Sequence, residues 1–153
     1  QTGSTAKMTI SGVIDESIVF TPHKLNGIKN LELHLEDVKG INSTGIREWI
    51  KWISQFSETQ ITFHQCPSCI MDQANMIQGF LPNNAKIMSF YVAYYSDETG
   101  MAKDVLFTHG ANYTDNGLSV IPKVQDDAGN PMEMDVIESK YFRFLKKMNM
   151  PKN

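Results

Sequence analysis

Two cysteines three positions apart, Cys66 and Cys69, are the side chains of this chain best suited to covalent chemistry. They open a predicted helix that follows a short predicted strand, and a Cys-x-x-Cys motif at a helix start can lower a thiol pKa and support dithiol exchange. His64, two residues earlier, would also allow half of a metal site. Because the chain has no further cysteine, and because buried cysteines often serve packing alone, redox and metal roles stand as alternatives to a structural one.

A polar turn at residues 42–45, Asn-Ser-Thr-Gly, opens a strongly amphipathic segment. Apolar side chains follow it at the spacing of one helical face: Ile46, Trp49, Ile50, Ile53 and Phe56. Asn42 is a suitable N-cap, so the hydroxyls of Ser43 and Thr44 fall in the first helical turn, where free N–H groups and the helix dipole favour an added anion. We predict a phosphorylation or partner-binding site here; the alternative is that Ser43 and Thr44 only help the helix to start. A nucleophile is not expected, because no candidate base lies nearby in sequence.

The predicted partner-binding surface extends from this turn along the adjacent helix edge. Its residues are Asn42, Ser43, Thr44, Gly45, Arg47, Glu48, Lys51 and Trp52. We expect Trp52 to border the apolar face and to remain accessible, because aromatic side chains contribute strongly to protein interfaces.

The composition is that of an ordinary globular protein. Of 153 residues, 41% are hydrophobic and 20% are charged. The formal net charge of −3 argues against a general nucleic-acid binder, since affinity for phosphate backbones needs a basic surface. No apolar run approaches the ~20 residues that span a bilayer, so we expect no membrane insertion. Two cysteines are too few for a disulfide scaffold, and a cytoplasmic location is therefore expected.

The order of predicted elements divides the chain into two modules. In the first, strands are predicted over 8–15, 31–36, 60–64 and 86–95, with helices over 43–56 and from 66 to about 78. Such alternation predicts a sheet covered by helices. Residues 1–7 are expected to be a linker or an expression remnant, with Met8 as the natural start.

The second module is predicted over residues 96–153, after a boundary near 95–97 that closes the first module at 8–95. It contains short strands and glycine turns. A helix from about 135 to 148 follows, and Asp135 and Glu138 have the spacing of a capping box at its start.

Residues 8 to 95 resemble the STAS domain, the module of anti-sigma factor antagonists and of sulphate-transporter cytoplasmic tails. The matching segments are Ile-Ser-Gly-Val-Ile-Asp at 10–15, the strand at 31–38 and the turn at 42–46. The resemblance implies an α/β fold whose mixed sheet has helices on one side. In such antagonists the turn reads Asp-Ser-Ser/Thr-Gly, and a partner kinase phosphorylates the hydroxyl after the Asp. By motif position that hydroxyl is Ser43. Asn42 replaces the Asp, which keeps the helix cap and loses a negative charge.

Two glycine turns in the second module share a pattern, at residues 95–100 and 124–129. They are similar to the Cys-x-x-Cys-Gly turns of a zinc ribbon, whose four ligand positions would here be Ser96, Thr99, Gln125 and Ala128. None of these is a thiolate, and Ala128 cannot bind metal. We therefore expect a small β-rich, metal-free ribbon with a terminal helix. Two unrelated hairpin turns are the alternative.

Together these patterns predict a non-catalytic bacterial signalling protein that acts by binding another protein. The resemblance implies a kinase or an anti-sigma-like regulator as the partner, and a homodimer is left open. We expect no cofactor and no metal. We also expect no enzyme activity, because carboxylates lack a paired apolar setting and the histidines are dispersed: His23, His34, His64 and His109. The alternatives are a thiol redox protein using Cys66 and Cys69, and a small-ligand sensor.

Overall fold

A computed structural model describes residues 4–20 and 27–148, without the side chains of 147 and 148. The first three residues of the predicted linker, His23 and the last five residues of the chain lie outside this description. In chain order the elements are β1 (Ser4–Thr9), β2 (Gly12–Ile14), β3 (Ile28–His34), β4 (Val38–Ile41), α1 (Ser43–Ile53), a 3-10 segment (Ser54–Phe56), β5 (Gln60–His64), α2 (Ser68–Met76), β6 (Ala85–Ile87), β7 (Ser89–Tyr95), β8 (Ala102–Thr108), β9 (Tyr113–Thr114), β10 (Gly117–Leu118), β11 (Val124–Gln125), β12 (Pro131–Met134), α3 (Glu138–Tyr141) and α4 (Arg143–Met148).

Four strands form the first sheet, in the order β1-β3-β5-β6. Strict alternation in the sequence builds it: Leu31 and Leu33 of β3 are buried, whereas Glu32 and His34 between and after them are half-buried. All the pairings in this sheet are parallel, so the expectation of a mixed sheet is wrong for it. Trp49 of α1 packs edge-on against Phe63, which places this helix on the apolar face.

The first strand begins earlier than the sequence predicts. Residues 4–7 belong to β1 and pair with β3, so the expectation of a linker is wrong for these four residues. The strand predicted over 8–15 is two strands, because β2 pairs with β4 in a separate two-stranded sheet. Gly12, the first residue of β2, has a φ of 81°, a conformation that favours glycine and interrupts the extended run that starts with β1.

The strand predicted over 86–95 is likewise two strands, which belong to different sheets. β6 ends the parallel sheet, whereas β7 pairs antiparallel with β8 and β12 in the order β11-β12-β7-β8. The change of sheet falls at Met88, before the module boundary that the sequence predicts near 95–97. The two halves remain joined, because Cys66 pairs with Phe90 and the buried apolar residues form one cluster.

The predicted terminal helix is two short helices, α3 and α4. The expected capping box is wrong, because Ile137 occupies the N-cap and makes no side-chain cap. The backbone N–H of Asp135 donates instead to the carbonyl of Ala93, which prolongs the pairing of β12 with β7. Buried Asn75 of α2 joins both helices, since its amide donates to the Tyr141 carbonyl and accepts from the Phe144 N–H.

Among the described residues, no helix is long and apolar enough to cross a bilayer.

Helix α1 begins against the end of β2. The Asn42 N–H donates to the Ile14 carbonyl over 3.1 Å, and the Asn42 side chain accepts from the Gly45 N–H over 2.9 Å. A Cβ added to Gly45 would lie 2.0 Å from the Ile14 carbonyl oxygen. The helix can approach β2 this closely only because position 45 is glycine.

The Gly45→Ala substitution should lower the free energy of unfolding by about 3 kcal/mol or more, because the added methyl group overlaps backbone. Gly40→Ala is the matched control, since among the described residues no atom beyond its chain neighbours lies within 4 Å of its added Cβ. We expect it to change stability by less than about 0.5 kcal/mol. Urea denaturation measures both, and equal stability of the two variants would contradict the proposed contact.

Candidate functional site

The turn at residues 42–45 lies at the surface and starts α1. Asn42 is the N-cap, as predicted, and Asn42 and Ser43 are exposed, whereas Thr44 is half-buried and Gly45 is buried. The Asn42 amide also donates to a Glu16 carboxylate oxygen over 2.9 Å. Ser43 is therefore exposed at a helix start that the Asn42 side chain fixes, because this side chain both caps the helix and bonds to Glu16.

The adjacent helix edge is only partly accessible. Arg47 and Lys51 are exposed, and the Lys51 ammonium lies 4.0 Å from the half-buried Glu48 carboxylate. Trp52 is only 4% exposed and stacks on Phe20 with ring centroids 4.7 Å apart. The expectation of Trp52 as an accessible anchor is therefore wrong, because three residues after Trp49 it shares the helix face that packs into the core.

The two cysteines lie where thiolates are disfavoured. Cys66 is fully buried and precedes α2, with its backbone bonded to Ser89 and Tyr91 rather than forming a helix start. Burial raises the pKa of the Cys66 thiol well above its ordinary value, and burial also raises the pKa of half-buried Cys69. The Cys69 sulfur lies 3.8 Å from the Val38 carbonyl. Since the thiolate is the reactive form, this geometry favours the structural role.

The two glycine turns of the second sheet meet at one buried carboxylate, that of Asp126. Its Oδ2 accepts from the Ser96 hydroxyl over 2.6 Å and from the Thr99 hydroxyl over 2.9 Å. Its Oδ1 accepts from the backbone N–H groups of Ala128 and Asn130, both over 2.9 Å. Three of the four predicted ribbon positions thus contact an anion. A zinc ribbon would have metal ligands at these positions, whereas the centre of this network is a hydrogen-bond acceptor surrounded by hydrogen-bond donors.

The fourth predicted position, Gln125, is exposed, and its carbonyl accepts from the Lys103 ammonium over 2.9 Å. The hydrogen bond from Ser96 is the main cause that holds the pKa of Asp126 well below its ordinary value of 3.8. Asp126 therefore joins the two turns as a carboxylate near neutral pH.

The outer face of the parallel sheet carries a polar group that the sequence analysis missed. Strand register aligns two rows of side chains across it: Lys7, Glu32, Thr62 and Lys86 in one, and Thr9, His34 and His64 in the next. The inward residues Leu31, Leu33, Ile61 and Phe63 of the two central strands are buried, whereas the outward residues stay partly or fully accessible. The sheet thus has one apolar face in the core and one accessible polar face.

His34 and His64 stack at the middle of this face. Their ring centroids are 4.7 Å apart and their planes differ by 11°. A Thr62 hydroxyl lies 2.9 Å from Nε2 of His64. Nε2 of His34 lies 3.5 Å from a Glu32 oxygen and is buried without a hydrogen-bond partner among the described residues. One donor atom from each of His34, His64 and Glu32 falls within 4.8 Å of the others.

Burial, followed by repulsion from His34, lowers the pKa of His64 below its ordinary value of 6.5. The imidazole is therefore neutral at pH 7. The expectation that the histidines are dispersed is wrong for this pair. The available signal was the alternation itself, which places a histidine on the polar side of each of two predicted strands.

A further ionic group continues the first row past β6. The Lys86 ammonium and Nε2 of His109 each lie 2.9 Å from an oxygen of Asp115. The hydrogen bond from Lys86 is the main cause that holds the pKa of Asp115 below its ordinary value. His109 is thus already within hydrogen-bond distance of a carboxylate.

Comparison of the chain with protein-family models, with curated proteins and with solved structures finds no match. The structure establishes an α/β protein with parallel and antiparallel sheets and four short or medium helices among the described residues. The similarities to a STAS domain and to a zinc ribbon rest on the sequence.

The Asp126→Ala substitution should lower the melting temperature by several degrees, because it leaves the donors of both turns without their acceptor. The matched control is Asp127→Ala, since the Asp127 side chain is 81% exposed. Because the folded-state pKa of Asp126 is depressed, its contribution is present above pH 3.8 and is lost as the pH falls further. Thermal melts of both variants near pH 7 and pH 3 measure this, and equal melting temperatures at pH 7 would contradict it.

The His64→Gln substitution should make the protein less sensitive to acid. A histidine whose pKa is lowered by folding takes up its proton more readily when unfolded, so wild-type stability falls as the pH drops below about 6.5. Denaturation at pH 7 and pH 5 measures that loss, which should be smaller in His64→Gln. Thr62→Val removes the same hydrogen bond and no titrating group, and should keep the wild-type loss. An unchanged loss in His64→Gln would contradict the assignment.

Proposed function

We propose that this protein is a non-catalytic regulatory module that binds another protein through the turn at residues 42–45 and the exposed edge of α1. The observation that supports this most directly is the display of Ser43 at a helix start held by the contact of Gly45 with Ile14. A rigid surface binds with little loss of conformational entropy, which favours recognition at this turn.

Three exposed residues define the binding stripe: Ser43, Arg47 and Lys51. They are four residues apart, so they follow one another along a single face of α1. The stripe therefore carries the two positive charges of Arg47 and Lys51, although the whole chain has a net charge of −3. A partner that offers carboxylates to this stripe would gain both attraction and orientation.

Phosphorylation of Ser43 provides the proposed regulation. A phosphate would add about −1.5 to −2 charges at the first turn, where the helix dipole stabilises an anion. Arg47 lies one helical turn further on and could pair with that phosphate. Phosphorylation would therefore stabilise the helix, and Arg47 would no longer be free to attract the partner. The resemblance to anti-sigma factor antagonists supports a kinase as the source of the phosphate.

The test begins with a photo-crosslinking amino acid placed at Ser43, or at Ser57 beyond the C-terminal end of the same helix, in the source cells. Ser57 is also exposed and serves as the matched position. We expect a protein crosslinked from position 43 and absent from position 57, to be identified by mass spectrometry and purified. Equal crosslinking from both positions would contradict the proposed surface.

With that partner, Ser43→Asp should weaken binding about tenfold or more, which corresponds to about 1.4 kcal/mol, whereas Ser43→Ala and Ser57→Asp should bind like wild type. Calorimetry measures the affinities. Thermal melts should show Ser43→Asp to be at least as stable as wild type, because the added charge favours the helix start. Equal affinity of the partner for Ser43→Asp and Ser43→Ala would contradict the proposed regulation by phosphorylation.

A further inference from the structure

We propose that His34, His64 and Glu32 form a binding site for a divalent transition-metal ion of the zinc class on the polar face of the parallel sheet. This site is separate from the protein-binding function proposed above. It departs from the expectation that the chain binds no metal. It is carried by three donor atoms, one from each side chain, that lie within 4.8 Å of one another.

The donor set fits this class of ion. Two imidazole nitrogens and one carboxylate oxygen suit Zn²⁺, Co²⁺ and Ni²⁺, whereas Mg²⁺ prefers oxygen ligands alone. With metal–ligand bonds of about 2.0–2.2 Å, donors around one ion lie roughly 3–3.5 Å apart. The separations here, none above 4.8 Å, must therefore shorten by less than about 2 Å, which side-chain rotation supplies. Because the site faces the accessible side of the sheet, a further coordination position would be open to water.

An unpartnered nitrogen gives the second, independent observation. Nε2 of His34 is buried and has no hydrogen-bond partner among the described residues. Leaving a buried polar atom without a partner is unfavourable, and metal coordination would satisfy it. His34 and Glu32 lie on the same strand and the same face, so they present a nitrogen and an oxygen 3.5 Å apart.

The stacked rings set a condition on binding. Imidazole lone pairs lie in the ring plane, and the planes of His34 and His64 differ by only 11°, so both rings cannot point at one ion as they stand. One ring must turn. His34 already lies beside Glu32, so we infer that His64 turns and releases its 2.9 Å contact with the Thr62 hydroxyl. Removing that hydroxyl should therefore not weaken metal binding.

The surrounding charges allow the site to form. The Lys7 ammonium lies 3.8 Å from the Glu32 carboxylate, and its side chain is 72% exposed, so it can move into solvent as an ion enters. Both histidines lie on central strands of the sheet, a rigid base for a ligand set.

The test is isothermal titration of the full chain with ZnCl₂, with MgCl₂ as the hard-ion control. We expect one zinc ion per chain, no binding of magnesium, and an affinity reduced about tenfold or more in His34→Ala and in His64→Ala. Glu32→Gln should weaken binding to a smaller degree. Thr62→Val should bind zinc at least as tightly as wild type. Far-UV circular dichroism of each metal-free variant establishes that it is folded.

Two variants exclude other ligands. His109→Ala should keep the wild-type affinity, because His109 is already paired with Asp115. Cys69→Ser should also keep it, and the Co²⁺ complex should lack the near-ultraviolet absorption of thiolate ligation. The proposal is overturned if zinc does not bind, or if zinc binds equally well to folded His34→Ala and His64→Ala. Loss of binding in Cys69→Ser alone would place the ion at the cysteines and would overturn it as well.

Discussion

Strands β3 and β5 lie side by side in parallel register, with Leu33 opposite Phe63 and His34 opposite His64. Side chains alternate between the two faces of a strand, so this one register sends the apolar residues into the core and the imidazoles to the accessible face. A shift of one strand by one residue would exchange the faces of that strand and bury its polar side chains. The same pairing therefore builds the core that carries α1 and the ligand set proposed for a metal.

The two proposed surfaces lie on different sides of this sheet. Helix α1 packs on the apolar face through Trp49, and its turn is held by the close approach of Gly45 to the Ile14 carbonyl. The histidine pair lies on the opposite, polar face. A protein bound at the turn and an ion bound at the histidines would thus not compete for space, and each proposal can fail without the other.

In the second sheet a carboxylate lies between the two glycine turns, at the place where a zinc ribbon would have its metal. The Asp126 carboxylate accepts hydrogen bonds from Ser96, Thr99 and the backbone of its own turn, and so it joins two distant turns. In a zinc ribbon the metal joins two turns by binding their cysteine thiolates. Here the carboxylate joins two turns by accepting hydrogen bonds from their hydroxyl and amide groups. The sequence shows that the two turns share a spacing, and only the structure shows that the Asp126 carboxylate lies between them.

Local patterns in the sequence determined α1 with its Asn42 cap, strand β5 and the α/β class, because caps and periodicity act between residues that are near neighbours in the chain. Tertiary structure alone decided the rest. It chose different sheets for the two halves of the apolar run around Met88, buried Trp52 under Phe20 and brought His34 against His64. Alternation shows which face a side chain occupies, but the partner of a strand is set by packing between distant segments, which no local pattern encodes.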